Sequence, residues 1–457
     1  MHPNRHLRSR QRRTLRRHIR STDAYAFFDL LTDDATLDQV ELLLPAHRER
    51  LLPPTETLAM FMAQALNADR SCQNAINEFS VRRVAGGLCA CSTSTAAYCR
   101  ARKRLPQAMV SSLVCFTGQA MTASARPAWT WQGRPVRLVD GTTVSMADTS
   151  ENQAAFPQPT SQKPGIGFPL CRLLALFCLA SGAVLDAATC AYHGKGNDEQ
   201  TLLRSLLDRL EPGDVLVGDA FFATYYLLAE LQRRGIDGVF EQHGARRRST
   251  DFRRGRRLGE RDHVIELEKP KMRPSWMTAK EYAHAPDRLT VRELRVGGKT
   301  LVTTLACAKQ APRNELKSLY RQRWHVELDL RSLKTMMGME MLSSKSPAMA
   351  IKEIWVHLLA YNVIRRMMLQ AACTEDVLPR QLSFKDALQL CMACRYHLAQ
   401  PDPDAVRAML RLIAQRRVGQ RPGRIEPRAV KRRPKPFPLL TKRRHLAREE
   451  VRRHGHP

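Results

Sequence analysis

Tyr320, Arg323, Glu327 and Lys334 follow one another at steps of three, four and seven residues in LYRQRWHVELDLRSLK. On a helix turning about 100° per residue, those steps hold all four side chains within an arc of roughly 60°. A phenol and two cations on one narrow face suit a phosphate. Arginine forks onto phosphate oxygens, lysine supplies a point charge and tyrosine donates one hydrogen bond. Two aspartates, Asp140 and Asp219, close the apolar runs VRLVD and VLVGD and so stand at expected strand ends. Two aspartates and a helical glutamate form an oxygen-ligand set for hard divalent cations, Mg2+ above all, with Mn2+ as substitute. With two ions per site, one activates a water or a 3′-hydroxyl while the other stabilises the leaving oxygen of a phosphodiester. Asp140, Asp219 and Glu327 are therefore the candidate catalytic and metal-binding residues. Tyr320, Arg323 and Lys334 are the candidate phosphate-binding residues.

Each of these residues also has an ordinary structural role open to it. Asp140 precedes Gly-Thr-Thr and suits a hairpin turn. Asp219 suits a helix N-cap. Glu327 suits a helical ion pair with Arg323 or Arg331. Asp148, Asp186, Asp214 and Asp329 are alternative acids. Asp329 sits roughly 160° around the helix from Glu327 and faces away from it. Leu319, Val326, Leu330, Leu333 and Met337 form an apolar stripe that packs the helix while Glu327 points at a sheet.

The elements that must position these groups are α/β in character. Residues 21–125 read as helices: one from Leu51 to Leu66 with Thr55 or Thr57 as caps, one over 71–84, and a basic one in STAAYCRARKRL. Helix, glycine turn and basic helix fit a helix-turn-helix pattern or, equally, a solvated cationic face. Strands are expected at 136–140, 142–146, 172–179 and 183–190, with a turn at Ser181-Gly182. Strands at 215–219 and 238–242 alternate with helices at 199–210 and 223–234, which implies a mixed sheet flanked by helices. Residues 243–312 interrupt this pattern with eight arginines between 246 and 261 and strand-like pieces joined by Gly297-Gly298. A long helix is expected from 313 to 337, followed by helices near 347–370 and 384–399. HGKGNDE, with His193, Lys195, Asn197 and Glu199, reads as a capped turn or a DNA-touching loop.

Charge names the partner class. The chain has 457 residues and a formal net charge of +30. Such an excess points to a polyanionic partner: nucleic acid, as double-stranded DNA, is the first candidate, because every Lys or Arg placed on a phosphate releases condensed counterions, and an anionic membrane surface is the competitor. Residues 1–20 hold eight arginines and no acid, and residues 416–457 hold 15 Lys or Arg against three Glu. These ends are expected to be disordered arms, either idle or tethered to DNA. The irregular spacing of the twelve cysteines implies reduced thiols, and neither Cys89/Cys91 nor Cys391/Cys394 has a second pair for zinc. Arg172, Gly182 and Asp186 break up the longest apolar run, so no membrane span is expected, and the start lacks a secretory pattern. The expected location is the bacterial cytoplasm, on the nucleoid.

At these residues the chain resembles the DDE transposases of the bacterial insertion-sequence group defined by Y-x2-R-x3-E-x6-K. The resemblance covers most of residues 45–370. It includes SCQNAINEF, AAYCRARKRLP, VDGTTV, RLLALFCLASGAVLDAAT, VLVGDAFF and KEIWVHLLAYNVIRR. It implies an RNase H-like catalytic core with a β insertion before the glutamate helix, and Asp140, Asp219 and Glu327 as Mg2+ ligands. It implies terminal-phosphate binding by Tyr320, Arg323 and Lys334. It further implies a homodimer that cuts two element ends, often through a DNA hairpin, and inserts them into target DNA. In some members a tryptophan of the insertion holds a flipped base, and Trp276 is the one tryptophan of this insertion. The expected layout is a basic arm (1–20), a helical DNA-binding domain (21–130), a core in two parts (131–242 and 313–415) around a β-rich insertion (243–312), and a basic tail (416–457). The alternatives are a catalytically inactive, sequence-specific DNA-binding descendant and a structure-specific nuclease on the same fold.

Overall fold

The computed structural model describes residues 42–43, 51–244, 246, 250–394, 403–418 and 440–455. The arm at 1–20 and residues 419–439 of the tail lie outside the described residues. Four helices come first: α1 (Pro54–Leu66), α2 (Cys72–Ala85), α3 (Ala96–Arg104) and α4 (Gln107–Ala123). Pro53, rather than either threonine, is the N-cap of α1. The Thr57 hydroxyl donates back to the Pro53 carbonyl at 2.8 Å, which explains why it caps nothing. Ser71 caps α2 by accepting from the Asn74 N–H at 3.0 Å. Residues 86–95 separate α2 from α3, a longer link than the three- or four-residue turn of a helix-turn-helix. The two helices share with Met60 of α1 a small apolar cluster around Ile76, Phe79 and Tyr98. By contrast, α1 and α4 bury their apolar faces in the main core, so packing continues across position 130.

Nine strands follow: β1 (Val136–Ser145), β2 (Leu170–Cys178), β3 (Val184–Ala191), β4 (Val215–Gly218), β5 (Asp237–Glu241), β6 (Arg256–Gly259), β7 (Asp262–Glu268), β8 (Arg288–Val296) and β9 (Lys299–Thr303). They form a single mixed sheet in the order β3-β2-β1-β4-β5-β9-β8-β7-β6. β1, β4 and β5 are parallel and the other neighbours antiparallel. The expected turn at Ser181-Gly182 is present, with Gly182 at φ +78°. Gly297 and Gly298, both at positive φ, close the β8–β9 hairpin, as a primed turn requires. Three expectations change. The runs 136–140 and 142–146 are one ten-residue strand, so Asp140 lies in mid-strand. The insertion extends the core sheet through β5–β9 pairing. Its basic segment contributes β6, the edge strand.

The remaining helices are α5 (Ser150–Ala155), α6 (Glu199–Leu206), α7 (Tyr225–Arg233), α8 (Ala279–His284), α9 (Arg313–Arg321), α10 (Trp324–Arg331), α11 (Pro347–Thr374), α12 (Phe384–Cys394), α13 (Pro403–Gln415) and α14 (Arg444–His454). One sheet face packs on α1, α4, α9, α10 and α11. The other packs on α6 and α7. Full burial of Val326, Leu330 or Leu333 on the first face contributes roughly 1.5–3 kcal/mol each. The tail contains α14, whose Arg444 pairs with Asp148 and covers the Phe168 ring at 4.8 Å. That stretch lacks the prolines crowding 434–438, which explains why it can be helical. All twelve cysteines are free thiols. Among the described residues no helix is long and apolar enough to cross a membrane.

The core closes around Asn362 of α11, which is fully buried. Its amide donates to the carbonyls of Val114 at 3.1 Å and Val184 at 2.9 Å, and its oxygen accepts from the Val184 N–H at 2.8 Å. One side chain thus joins α4, β3 and α11. Gly118 permits this approach, because a Cβ there would meet the Val184 carbonyl oxygen at 2.2 Å. Gly118→Ala should therefore lower stability by about 1–3 kcal/mol through overpacking. The measurement is the urea midpoint, and an unchanged midpoint would contradict the close α4–β3 packing.

Candidate active site

Register assembles the acids. β1 pairs with β4 from Val136↔Val215 to Leu138↔Val217. β4 pairs with β5 from Val215↔Asp237 to Gly218↔Phe240. Extending both ladders to the next same-face positions sets Asp140, Asp219 and Glu241 in one row across three parallel strands. Neighbouring strands lie about 4.8 Å apart. Residues alternate between faces, so all three acids belong to the face of Leu138, Val217 and Val239, which carries α9 and α10. Glu241 was not singled out from the sequence. The signal that finds it is its position at the end of a third parallel strand, where ligands of open α/β sheets gather.

Asp219 also plays the humbler role. Its Oδ1 accepts from the Phe221 N–H at 2.9 Å and caps a short 3-10 turn. Asp140 Oδ1 accepts from the Gly141 N–H at 2.8 Å. Gly141 explains why the strand continues past the acid, since a Cβ there would meet Glu199 Oε1 at 2.3 Å. Glu199 opens α6 behind the N-cap Asp198 and pairs with Arg172 at 3.1 Å. HGKGNDE is thus a capped turn, tightened by Asn197 Nδ2 donating to the His193 carbonyl at 2.6 Å.

The helix expected at 313–337 is broken. α9 and α10 meet at Gln322 and Arg323, whose N–H groups bond three residues back, and residues 332–336 form a π-helical turn. The tight turn and the wide turn both depart from 100° per residue, so the single arc proposed for the four side chains does not hold along its full length. Tyr320, Arg323 and Glu327 still cluster. Arg323 bonds Glu327 and reaches Asp140 Oδ2 at 3.6 Å. The Tyr320 hydroxyl donates to Glu241 at 3.4 Å, and Lys299 holds the same carboxylate at 2.6 Å. Lys334 is half-buried inside the π turn, with no ion pair among the described residues.

Asp329 fixes the rotation of α10. It is fully buried and bonded by Arg365 and by Arg380, whose Nη1 lies 2.7 Å from both carboxylate oxygens. Arg380 also donates to the carbonyls of Leu179 at 2.7 Å and Cys178 at 3.0 Å. Residues two apart on a helix lie on nearly opposite sides, so anchoring Asp329 inward turns Glu327 toward the acidic row. The other alternative acids are spoken for: Asp214 by Arg137 at 2.9 Å, Asp186 by Arg209 at 2.6 Å, and Asp148 by Arg444.

Burial pushes the Asp140 carboxyl up to about 6; the Gly141 N–H pulls it back, and the Asp219 charge adds to the rise. Glu199 is raised as well, by burial, with Asp219 contributing. A cluster of carboxylates that resist ionising together is one that a cation relieves. No three acids, histidines or cysteines among the described residues already stand at metal-site distances. Arg323 lies between Asp140 and Glu327 and neutralises both. The donor set still fits a hard cation in kind, since it offers carboxylate oxygens from separate elements. Asp140, Asp219 and Glu327 are the residues that would hold it.

Two tryptophans bear on DNA contact. Trp276 packs on Arg204, 3.9 Å from its ring centre, and edge-on against Tyr226, which fastens it to α6 and α7 on the face away from α10. Trp324 follows Arg323 directly and is 58% exposed.

A mixed sheet flanked by helices, with two aspartates in register beneath a glutamate helix, is consistent with an RNase H-like core. The transposase DDE domain family matches residues 131–363, just over half of the chain. The protein belongs to this family, with an RNase H-like core, and a DDE domain implies dependence on divalent cations. It is similar to transposase InsG for insertion sequence element IS4 of Escherichia coli (strain K12), with 28% identity over 358 residues, 75% of this chain and 78% of that protein.

Two outcomes follow. Without divalent cation, folded Asp140 keeps a proton that the unfolded chain releases between about pH 4 and 6. Stability therefore falls as pH rises through that window. Asp140→Asn should remove roughly 3 kcal/mol of that cost at neutral pH. A melting temperature that rises at pH 7 but not at pH 4 meets this expectation; equal shifts at both refute it. Asp329→Asn should cost about 3–5 kcal/mol by leaving buried guanidinium charge uncompensated, measured by urea titration.

Proposed function

We propose that this chain is a DNA transposase that binds the terminal repeats of its element, cleaves phosphodiester bonds there and joins the 3′-hydroxyl ends to target DNA. Asp140, Asp219 and Glu327 hold two Mg2+ ions in this reading. The single observation that carries it is the shared row of Asp140 and Asp219 beneath the helix bearing Glu327. When bound, the ions supply an activated water or hydroxyl and a stabilised leaving oxygen.

The chain's own residues do the rest. Arriving DNA offers Arg323 phosphate oxygens, and its guanidinium exchanges Asp140 and Glu327 for them, which frees both carboxylates as ligands. Arginine suits this swap because its planar fork matches carboxylate and phosphate equally. The Tyr320 hydroxyl and Lys334 grip the same strand, and Trp324 stacks on an exposed base. Arg100, Lys103 and Arg104, exposed on α3, meet the repeat, where base-edge contacts confer sequence preference. Two copies act on two ends in the cytoplasm. In this reading the layout 1–20, 21–130, 131–242, 243–312, 313–415 and 416–457 divides the chain by function, although packing runs across its second boundary.

Glu327→Ala should leave binding of a terminal-repeat duplex intact and abolish cutting in Mg2+, read on a labelled substrate. Wild-type cutting by that variant refutes the assignment. Binding without cutting by the unaltered chain would favour an inactive DNA-binding descendant. Cutting without strand transfer would favour a nuclease.

A further inference from the structure

One arginine of the N-terminal helices reaches the end of the glutamate helix. Arg70 stands just before Ser71, the cap of α2, and its Nη1 donates to the Gly338 carbonyl, 268 positions away. No carboxylate pairs with it among the described residues. Gly338 follows the π turn of 332–336. Its φ is +69°, and a Cβ there would meet the Arg70 guanidinium at 2.5 Å. Glycine alone admits both the backbone bend and the arginine. The amides on either side close the turn. Met337 N–H donates to the Ser332 carbonyl at 3.0 Å, and those of Met339 and Glu340 donate to the Leu333 and Lys334 carbonyls at 3.2 Å. Arg70 therefore grips the carbonyl between the amides that close the turn carrying Lys334. Asp329 fixes the helix before this turn. Glu353 of α11 fixes the chain after it, accepting from the Ser343 and Ser344 N–H groups at 3.1 and 2.9 Å.

A chain of hydrogen bonds leads from this arginine back to the basic helix. The Arg70 carbonyl accepts from Gln64 Nε2 at 2.7 Å. Gln64 Oε1 accepts in turn from the Tyr98 hydroxyl at 2.8 Å and from Arg102 Nη1 at 3.3 Å. Gln64 and Tyr98 are buried, so these bonds act at low dielectric, where they are strong and costly to leave unmade. Lys352 of α11 holds the end of α3, donating to the Arg102 and Lys103 carbonyls at 2.9 and 3.0 Å. The helix that exposes Arg100, Lys103 and Arg104 is thus joined, through Gln64 and Arg70, to the turn that carries Lys334.

We infer that Arg70 is a positioning residue: through Gln64 it couples occupancy of α3 to the shape of the π turn that carries Lys334. The inference rests on the proposed function, which gives both α3 and Lys334 to DNA. π turns are uncommon and recur at functional sites. A duplex that settles on α3 shifts or stiffens Tyr98 and Arg102, and Gln64 passes the change to the backbone of Arg70. The guanidinium delivers it to Gly338. Lys334 then reaches its phosphate only when the repeat is in place.

The test compares the full chain with Arg70→Met, Arg70→Lys and Gln64→Met, each with and without a terminal-repeat duplex. Amide hydrogen exchange across 337–340 is read by mass spectrometry. In the free protein, Arg70→Met should quicken that exchange about tenfold by removing a charge-assisted bond, and Arg70→Lys should restore it. Bound duplex should slow the same exchange in the unaltered chain but not in Gln64→Met. Cutting at saturating duplex should fall about a hundredfold in Arg70→Met, while its affinity for the duplex stays unchanged. Exchange left unchanged by Arg70→Met overturns the inference. So does slowing by duplex that survives Gln64→Met, or a loss of cutting matched by a loss of affinity. The exchange of the free protein requires neither DNA nor cutting, so failure of the cleavage reading through Glu327→Ala remains a separate outcome.

Discussion

The site depends on the parallel register of β1, β4 and β5. A slip of one residue between β1 and β4 would send Asp140 to the opposite face from Asp219. That register is held by apolar residues on both faces, Leu138 and Val217 toward α10 and Val139 and Leu216 toward α6. The chemistry therefore inherits its geometry from ordinary packing. β4 ends at Gly218 while β1 runs on, so the acids stand where one strand has stopped and its neighbour has not. The chain after α10 closes the far end, where the Ser145 N–H donates to the Glu340 carbonyl at 3.0 Å and the Ser145 carbonyl accepts from the Leu342 N–H at 2.8 Å.

Against this fixed sheet, α10 has two differently charged sides. Inward lies a permanent arrangement, Asp329 between two arginines, dry and fully paired. Outward lies a looser one, Glu327 and Asp140 sharing Arg323 where all three side chains keep some contact with solvent. A pair costs more to break the more completely it is buried, and Asp329 is sealed from solvent while Arg323 and Glu327 are not. The helix is consequently rigid in orientation while its working face can trade partners.

Much of this was legible in the residues. The Ser181-Gly182 and Gly297-Gly298 turns, the strand and helix order of the core, and the buried stripe of Leu319, Val326, Leu330, Leu333 and Met337 all follow from local pattern. Asp140 misled because Asp-Gly-Thr-Thr reads as a turn; only Glu199, 58 positions later, explains why a glycine is needed within a strand. Glu241 was passed over for a related reason, since its partners come from pairing and not from neighbours in sequence. The break at Gln322-Arg323 and the π turn at 332–336 leave no mark on hydrophobic periodicity. The helix at 444–454 was hidden by the charge and proline content around it.

The Asp329 anchor has a consequence for reading genomes. A comparison of sequences sees Asp140, Asp219 and Glu327 directly, but not the contacts that orient them. In this fold a lesion at Arg365 or Arg380, neither of which touches the acids, unseats the helix that carries one of them. On the proposed function, a copy that keeps its three acids but loses this anchor would no longer present Glu327 to them, so the hidden side of the helix counts together with the visible one.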